Sequence, residues 1–286
     1  MTTKKTIFYL ERRQGESSLY HFIVYNLGGL YYITNELYNI RGNDSVKIND
    51  TRLVDNPTSK PTYPITICID NIPGPVTSVF DEAFDMIKDK FQFIYSLPAG
   101  NEYEIISIYG EPCLTNTSSD NPTNVFPYLR NLFLSKITPQ IHCKKRYFIG
   151  RKQSFINNMT ALKTPARTII NEREFVENLK KYNIECIYLE YYSFKEKIEI
   201  FNSAELIISP FSSALTCLLW CNTDVKVIEI INKGYHCGLG FHFKLICDTL
   251  GLKYNRYSNI NEDEYGNFTI DANSEIYEFI ENILKN

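Results

Sequence analysis

The sequence predicts a mixed α/β protein built on parallel sheets. Between residues 146 and 230, short apolar runs alternate with amphipathic ones as β-α-β-α-β-α-β, a pattern that calls for a parallel sheet with right-handed crossovers. The first half carries a looser strand-then-helix pattern. At 286 residues the chain is long enough for two medium domains, placed at 1–140 and 141–286.

Taken in order, KTIFYL at residues 5–10 reads as a strand. Residues 18–32 follow as a helix, with Leu19, Phe22, Ile23, Leu27 and Leu30 apolar at helical spacing. Gly28 and Gly29 weaken that helix but allow close packing. Residues 41–64, rich in Asn, Asp, Ser, Thr and Pro, read as a loop. PITICID (64–70) is a second strand, and residues 79–91 are an amphipathic helix after a Pro-Gly-Pro turn. Residues 93–95 and 105–109 are short strands, 115–124 a polar loop and 125–135 a connecting helix.

In the second half RYFIG (146–150) is a strand, 171–182 a helix with Phe175, Val176 and Leu179 on one face, and 186–189 a strand. Residues 193–202 form a helix with Ser193 as cap and Glu196 at its third position. Residues 206–208 are a buried strand, Ser213–Trp220 a helix and 225–230 another buried strand. Beyond 241, FHFKLICDTLGL is a helix, Lys253–Tyr257 a strand and 262–271 a polar stretch. Residues 274–285 make a last amphipathic helix, free to pack back on the first domain.

Composition narrows the function classes. Hydrophobic residues make up 44% and charged residues 22%, ordinary for a globular chain. A net charge of −3 provides no positive field for general nucleic-acid binding. The 8 cysteines lack paired metal spacing and read as buried reduced thiols. His236 and His242 flank Cys237 only loosely, and no HExxH, zinc-finger, DxD, GxSxG or P-loop pattern is present. No metal site and no cofactor are therefore expected, and the run Glu262-Asp263-Glu264 reads as solvated charge. No apolar run approaches the roughly 18 residues that cross a bilayer. The start, MTTKKTIFYLERR, lacks the shape of a signal peptide, so a cytoplasmic protein is expected. The bias toward Asn, Ile and Lys suits an AT-rich coding sequence and speaks to origin only.

Ligands of parallel sheets bind beyond the carboxyl ends of the strands. Polar residues gather there. Arg151 and Lys152 follow the first strand of the second half; Arg167, Asn171 and Glu172 open the next helix. Glu190 and Ser193 follow the second strand. Ser209-Pro210-Phe211-Ser212-Ser213 joins the third strand to a helix, and Glu229 closes the last one. A guanidinium can take two phosphate oxygens at once. A helix start in small Ser residues offers backbone N–H groups to the same phosphates, and a strand-end carboxylate can accept from both ribose hydroxyls. Each alone has a plain reading as solvated arginine, ordinary cap or exposed strand end. Together at one sheet edge they point to a nucleoside diphosphate site.

The blocks YFIGRK, ARTIINEREFVENL, IYLEYYSFKEKIEIFNSAELIISPFSSALTCLLW and VKVIEI resemble, in order and spacing, those of glycosyltransferase family 61. This group includes plant xylan arabinosyl- and xylosyltransferases and animal protein O-linked GlcNAc transferases. In the first half, LYHFIVYNLGGL is similar to the family's G-H-W-L-x-E-x-L-P-x-L segment. The resemblance implies a GT-B architecture: two Rossmann-like domains facing across a cleft, the first on the acceptor side and the second binding the nucleotide-sugar. It implies inverting, metal-independent transfer from a UDP-sugar, GlcNAc or xylose, to a glycan or protein hydroxyl. By the matched positions Arg151, Arg167, Ser212, Ser213 and Glu229 hold the nucleotide, with Lys152 and Ser209 beside them. His21 is the candidate general base, its competing reading being a core histidine, and Glu190 is the other catalytic candidate.

The departures are specific. Phe211 stands where the family usually has His, Ser212 where it has Gly, Cys217 where it has Asn, and Tyr25 where it has an acid. Phe211 can neither donate to phosphate nor take a proton, though its ring can stack on a sugar or base. A second reading follows, a non-catalytic nucleotide- or carbohydrate-binding relic of the same fold. The partners expected are the donor and a glycan or glycoprotein acceptor, with no nucleic acid and no membrane span; the oligomeric state is open, a homodimer included. The missing leader suits bacterial relatives or a large DNA virus, with host cytoplasm as the location.

Overall fold

The computed structural model of the chain describes residues 5–10, 19–31, 33–34, 64–69, 77–99, 103–108, 122–138, 144–151, 167–231, 242–263 and 266–285. The chain divides into two compact units, Met1–Lys136 and Ile137–Asn286. Each is α/β with an all-parallel sheet.

The first unit holds β1 (Lys5–Leu10), β2 (Ile65–Ile69), β3 (Phe91–Ile94) and β4 (Tyr103–Ile108) in the order β3-β2-β1-β4. Its first helix, α1, covers residues 19–31 and contains a π-helical turn at Phe22–Leu27. Gly28 and Gly29 are buried in it, and a Cβ on Gly29 would come within 2.9 Å of the Leu10 side chain at the end of β1. Here the glycine serves the close helix-to-strand approach that the sequence suggested.

The helix expected over 79–91 is shorter. α2 is Thr77–Met86, and a turn at 87–90 releases the chain so that Phe91 can open β3. Near that end Phe84 stacks on Phe93 of β3 at 3.9 Å, and further back Phe80 stacks on Phe22 of α1 at 3.8 Å. α3 (Pro122–Leu134) starts inside the expected polar loop. The loop predicted at 41–64 lies outside the described residues apart from Pro64.

The second unit follows the predicted alternation closely. β5 (Lys145–Ile149), β6 (Ile184–Ile187), β7 (Ala204–Pro210), β8 (Lys226–Ile230) and β9 (Lys253–Tyr257) lie in the order β6-β5-β7-β8-β9. One face is covered by α4 (Glu172–Leu179) and α7 (Glu275–Lys285). Phe175, Leu179, Ile276, Tyr277 and Ile280 meet Phe148, Leu206, Ile208, Ile228 and Ile230 of the strands. The last helix, for which packing on the first half was an option, therefore buries its apolar face in this core. α5 (Phe194–Ser203), a 3-10 helix (Ser213–Trp220) and α6 (His242–Leu250) pack with one another, Phe194 meeting Trp220 at 5.2 Å. The capping box predicted at Ser193 is present, with Ser193 Oγ accepting from the Glu196 N–H and the Glu196 carboxylate accepting from the Ser193 N–H. At the amino ends of the strands, Arg146 pairs with Glu205 and donates to the Tyr182 carbonyl at 2.8 Å, far from the ligand edge. Among the described residues no helix is long and apolar enough to cross a membrane.

The polar stretch 262–271 departs most from expectation. It is a clasp over the segment that leads into α4. Phe268 bridges Ile169, Asn267 Oδ1 accepts from the Thr168 hydroxyl at 3.0 Å, and Asn171 Nδ2 donates to the Ile270 carbonyl at 2.8 Å while its Oδ1 accepts from the Ile270 N–H at 3.0 Å. Asp263, expected as solvated charge, closes the turn by accepting from the Asn267 N–H and side chain, with Gly266 at a φ of 74°. The Asn171 amide thus replaces a missing strand partner for both polar groups of Ile270. Asn171→Ala is expected to cost about 2 kcal/mol of stability, because it strands both groups, and urea denaturation would read the loss.

Candidate functional site

In the sheet order β6-β5-β7-β8-β9 the chain leaves β5 toward β6 on one side and enters β7 on the other. The connections diverge between β5 and β7, where parallel sheets open a crevice for ligands. Two segments emerge there: Gly150-Arg151 from β5 and Phe211-Ser212-Ser213 from β7.

Gly150 allows β5 to end against β6. A Cβ on it would lie 2.8 Å from the Tyr188 ring, 3.2 Å from Glu172 Oε1 and 3.3 Å from Cys186 Sγ. The Tyr188 hydroxyl donates to Glu172 Oε1 at 2.8 Å. Burial pushes the Glu172 carboxyl above its ordinary range, opposed by the Tyr188 hydroxyl and by the Arg151 N–H and charge, while nearby Glu190 adds to the rise. Burial also pushes the Cys186 thiol up to about 11.

Arg151 is only 8% exposed, and its Nη2 donates to the Phe211 carbonyl at 2.9 Å. This bond spans the divergence. Phe211 in turn donates its N–H to Ile230 O at 3.0 Å, prolonging the β7–β8 pairing by one residue. Its ring lies beneath the Arg167 guanidinium, 5.0 Å from carbon to centroid, and meets the Phe243 ring at 5.3 Å. Arg167 has a φ of 52°, a left-handed backbone that costs a non-glycine residue about 1 kcal/mol. The clasp at 267–270 fixes the chain just beyond it.

Ser209 is fully buried; its Oγ donates to Pro210 O at 2.8 Å and lies 3.4 Å from Ser212 Oγ. Ser212 is extended and starts the 3-10 helix without a side-chain capping bond, and Ser213 is half-buried. The helix is 3-10, with i to i+3 bonds, where the sequence suggested an ordinary helix. Cys217 inside it is fully buried, its thiol pushed up to about 12 by desolvation.

Glu229 does not close the strand as an exposed acid. It is the penultimate residue of β8, 1% exposed and in register with Ser209 on β7 and Arg256 on β9. Its Oε2 accepts from the Tyr254 hydroxyl and lies 3.5 Å from Arg256 Nη2, while its Oε1 has no hydrogen-bond partner among the described residues. Burial pushes this carboxyl above its ordinary range, opposed by Tyr254 and then Arg256. Tyr254 and Arg256 escaped the sequence reading. The signal was there: two apart in the strand KYNRY, they share one face, and the β8–β9 register puts Arg256 against Glu229.

The edge therefore brings together Arg151, Arg167, Ser209, Ser212, Ser213 and Glu229. Glu190 is exposed on the turn Leu189–Tyr191, beside Glu172. His21 belongs to the first unit, half-buried in α1 with its ring edge-on to Tyr20 at 5.7 Å. Lys152, the Tyr25 side chain, His236 and Cys237 lie outside what is described. Of the cysteines, Cys68, Cys217, Cys221 and Cys247 are buried thiols, as their apolar settings suggested.

No curated protein matches the chain. The family model Glycosyltransferase 61 matches residues 19–228, from α1 in the first unit to β8 in the second, which is more than half of the chain. That span includes every described residue of the candidate site up to Ile228 and ends one residue short of Glu229. The chain belongs to glycosyltransferase family 61, and it is a transferase acting on a donor and an acceptor substrate.

Proposed function

We propose that the protein is an inverting glycosyltransferase that uses a UDP-sugar, GlcNAc or xylose, without a bound metal. The acceptor is a hydroxyl of a glycan or protein. The observation that carries this reading is the convergence of Arg151 and Arg167 on Phe211 at the crevice between β5 and β7. Two guanidiniums at one strand edge suit a diphosphate, and they supply the positive charge that the leaving group needs as the glycosidic bond breaks. The N–H groups at the start of the 3-10 helix, together with Ser212 and Ser213, add donors for the same oxygens. Lys152, next in sequence to Arg151, is a further phosphate contact on this reading. Glu229, with Oε2 held and Oε1 buried without a hydrogen-bond partner among the described residues, suits a ribose hydroxyl. The second unit is then the donor half of a GT-B enzyme and the first unit the acceptor half.

The reaction is a single displacement. The acceptor oxygen attacks the anomeric carbon, the carbon–phosphate oxygen bond breaks, UDP leaves, and a base takes the acceptor proton. His21 is the proposed base, with Glu190 as the alternative catalytic carboxylate. Work in the cytoplasm, of a host cell if the chain is viral, belongs to the same reading.

A thermal-shift screen with UDP, GDP, CMP and their sugars tests the nucleotide. UDP and UDP-sugars are expected to raise the melting temperature, since a ligand bound only by the folded state stabilises it. No shift with any of them would sink the reading, and a shift with UDP but neither transfer nor hydrolysis would favour a binding relic. Arg167→Ala is expected to weaken UDP by about 10- to 100-fold, the worth of a charged hydrogen bond, with the fold intact; unchanged affinity in a calorimetric titration would move the site elsewhere.

Glu229 gives a prediction of opposite sign for stability and binding. Its folded pKa is raised, so its favourable contribution is complete below the ordinary carboxylate range and is lost as pH rises through the folded value. Glu229→Gln removes the cost of ionising a buried acid. The variant is expected to melt higher than wild type at about pH 7, with a flatter pH dependence, yet to bind UDP about tenfold more weakly. Melting curves between about pH 4 and pH 8, beside the titration, check both signs.

A further inference from the structure

Phe211 is the residue on which both site arginines depend, although an aromatic ring in a phosphate site looks like a loss. We propose that Phe211 is the positioning residue of the donor site, aiming Arg151 with its carbonyl and carrying Arg167 on its ring. The inference rests on the reading of this edge as the diphosphate site.

Four observations support it. The Phe211 N–H is locked to Ile230 O at 3.0 Å, so the residue continues the sheet and cannot drift as a loop would. Its carbonyl accepts from Arg151 Nη2 at 2.9 Å. Its ring carries the Arg167 guanidinium at 5.0 Å. The ring is braced by Phe243, which is buried on α6. At 9% exposure and with Arg167 over it, the ring has little face left for a sugar or base, so the stacking role considered from the sequence gives way to this one.

The chemistry favours a phenyl ring here. A guanidinium held over an aromatic face is attracted by the ring's electrons and makes that contact without using its N–H groups as hydrogen-bond donors. A histidine in the same place would itself titrate, and once protonated would repel two neighbouring cations. The left-handed backbone of Arg167 and the clasp beyond it fix where that side chain starts; the Phe211 ring fixes where it ends. The departure from the family's His thus becomes a change in how the arginines are held.

The test compares Phe211→Leu, Phe211→Tyr and Arg167→Lys by UDP titration calorimetry. Phe211→Leu keeps the backbone bonds and most of the bulk but removes the aromatic face, and it is expected to weaken UDP about fivefold. Phe211→Tyr keeps the face and is expected to stay within about twofold of wild type. Arg167→Lys should cost less affinity in the Phe211→Leu background than alone, since the two changes remove one shared interaction. A Phe211→Leu protein that binds UDP as tightly as wild type, or losses that simply add, would overturn the proposal. A wild type that binds no UDP would instead overturn the donor site itself. The same cycle read by ligand-free melting then decides the ring's role alone: non-additive melting shifts uphold the Phe211–Arg167 pairing and additive ones refute it.

Discussion

The hydrogen bond from Arg151 to the Phe211 carbonyl crosses the point where the second sheet's connections part, and the candidate site is organised around it. A guanidinium this buried cannot be left to water; it needs acceptors and a counter-charge close by. The Phe211 carbonyl supplies one acceptor. Glu172, at the start of α4 beside the clasp, takes the Arg151 backbone N–H, and the Arg151 charge favours its ionised form against the effect of burial. Gly150 then has to be bare, because Tyr188 and Glu172 close in on its Cα to complete the arrangement. The identity of one residue at the end of β5 thus follows from what the next residue must reach.

The second constraint is the clasp. Arg167 leads into a segment with no strand of its own, and its neighbours Thr168, Ile169 and Asn171 are held by residues 99 positions away. Side-chain amides make most of these bonds. Asn267 serves Thr168, and Asn171 serves Ile270, extending the short backbone pairing that Phe268 makes with Thr168 and Ile170. The left-handed Arg167 lies at the edge of this held region, where strain is stored when the surroundings over-determine a conformation.

Much of this was legible in the sequence. The β-α alternation from 146 to 230 gave the strands nearly in place, because buried parallel strands are short apolar runs that helical periodicity cannot imitate. The Ser193 cap was legible because a capping box is wholly local. Arg151, Arg167, Ser212 and Glu229 were legible as polar residues at strand ends. What escaped depends on distant partners. The stretch 262–271 looked like solvated loop, since its pairing with 168–171 leaves no periodic trace. The end of α2 at Met86 was set by Phe91 joining β3, and nothing local shows that Tyr254 and Arg256 lie across from Glu229.

Burial raises the carboxyl pKa of both Glu172 and Glu229, and each lies near an arginine. Burial disfavours the charged form of each acid, and the neighbouring hydroxyl and guanidinium oppose that effect. On the proposed reading of this edge as a nucleotide site, phosphate oxygens at Arg151 and Arg167 would bring negative charge close to Glu172 and favour its neutral form, beside the Tyr188 hydroxyl that donates to it. A ribose hydroxyl at Glu229 would have the reverse effect on the same reading, favouring the charged form by giving Oε1 a donor. One ligand would then drive two buried acids in opposite directions, so proton uptake on nucleotide binding would report the difference between them and not the behaviour of either alone.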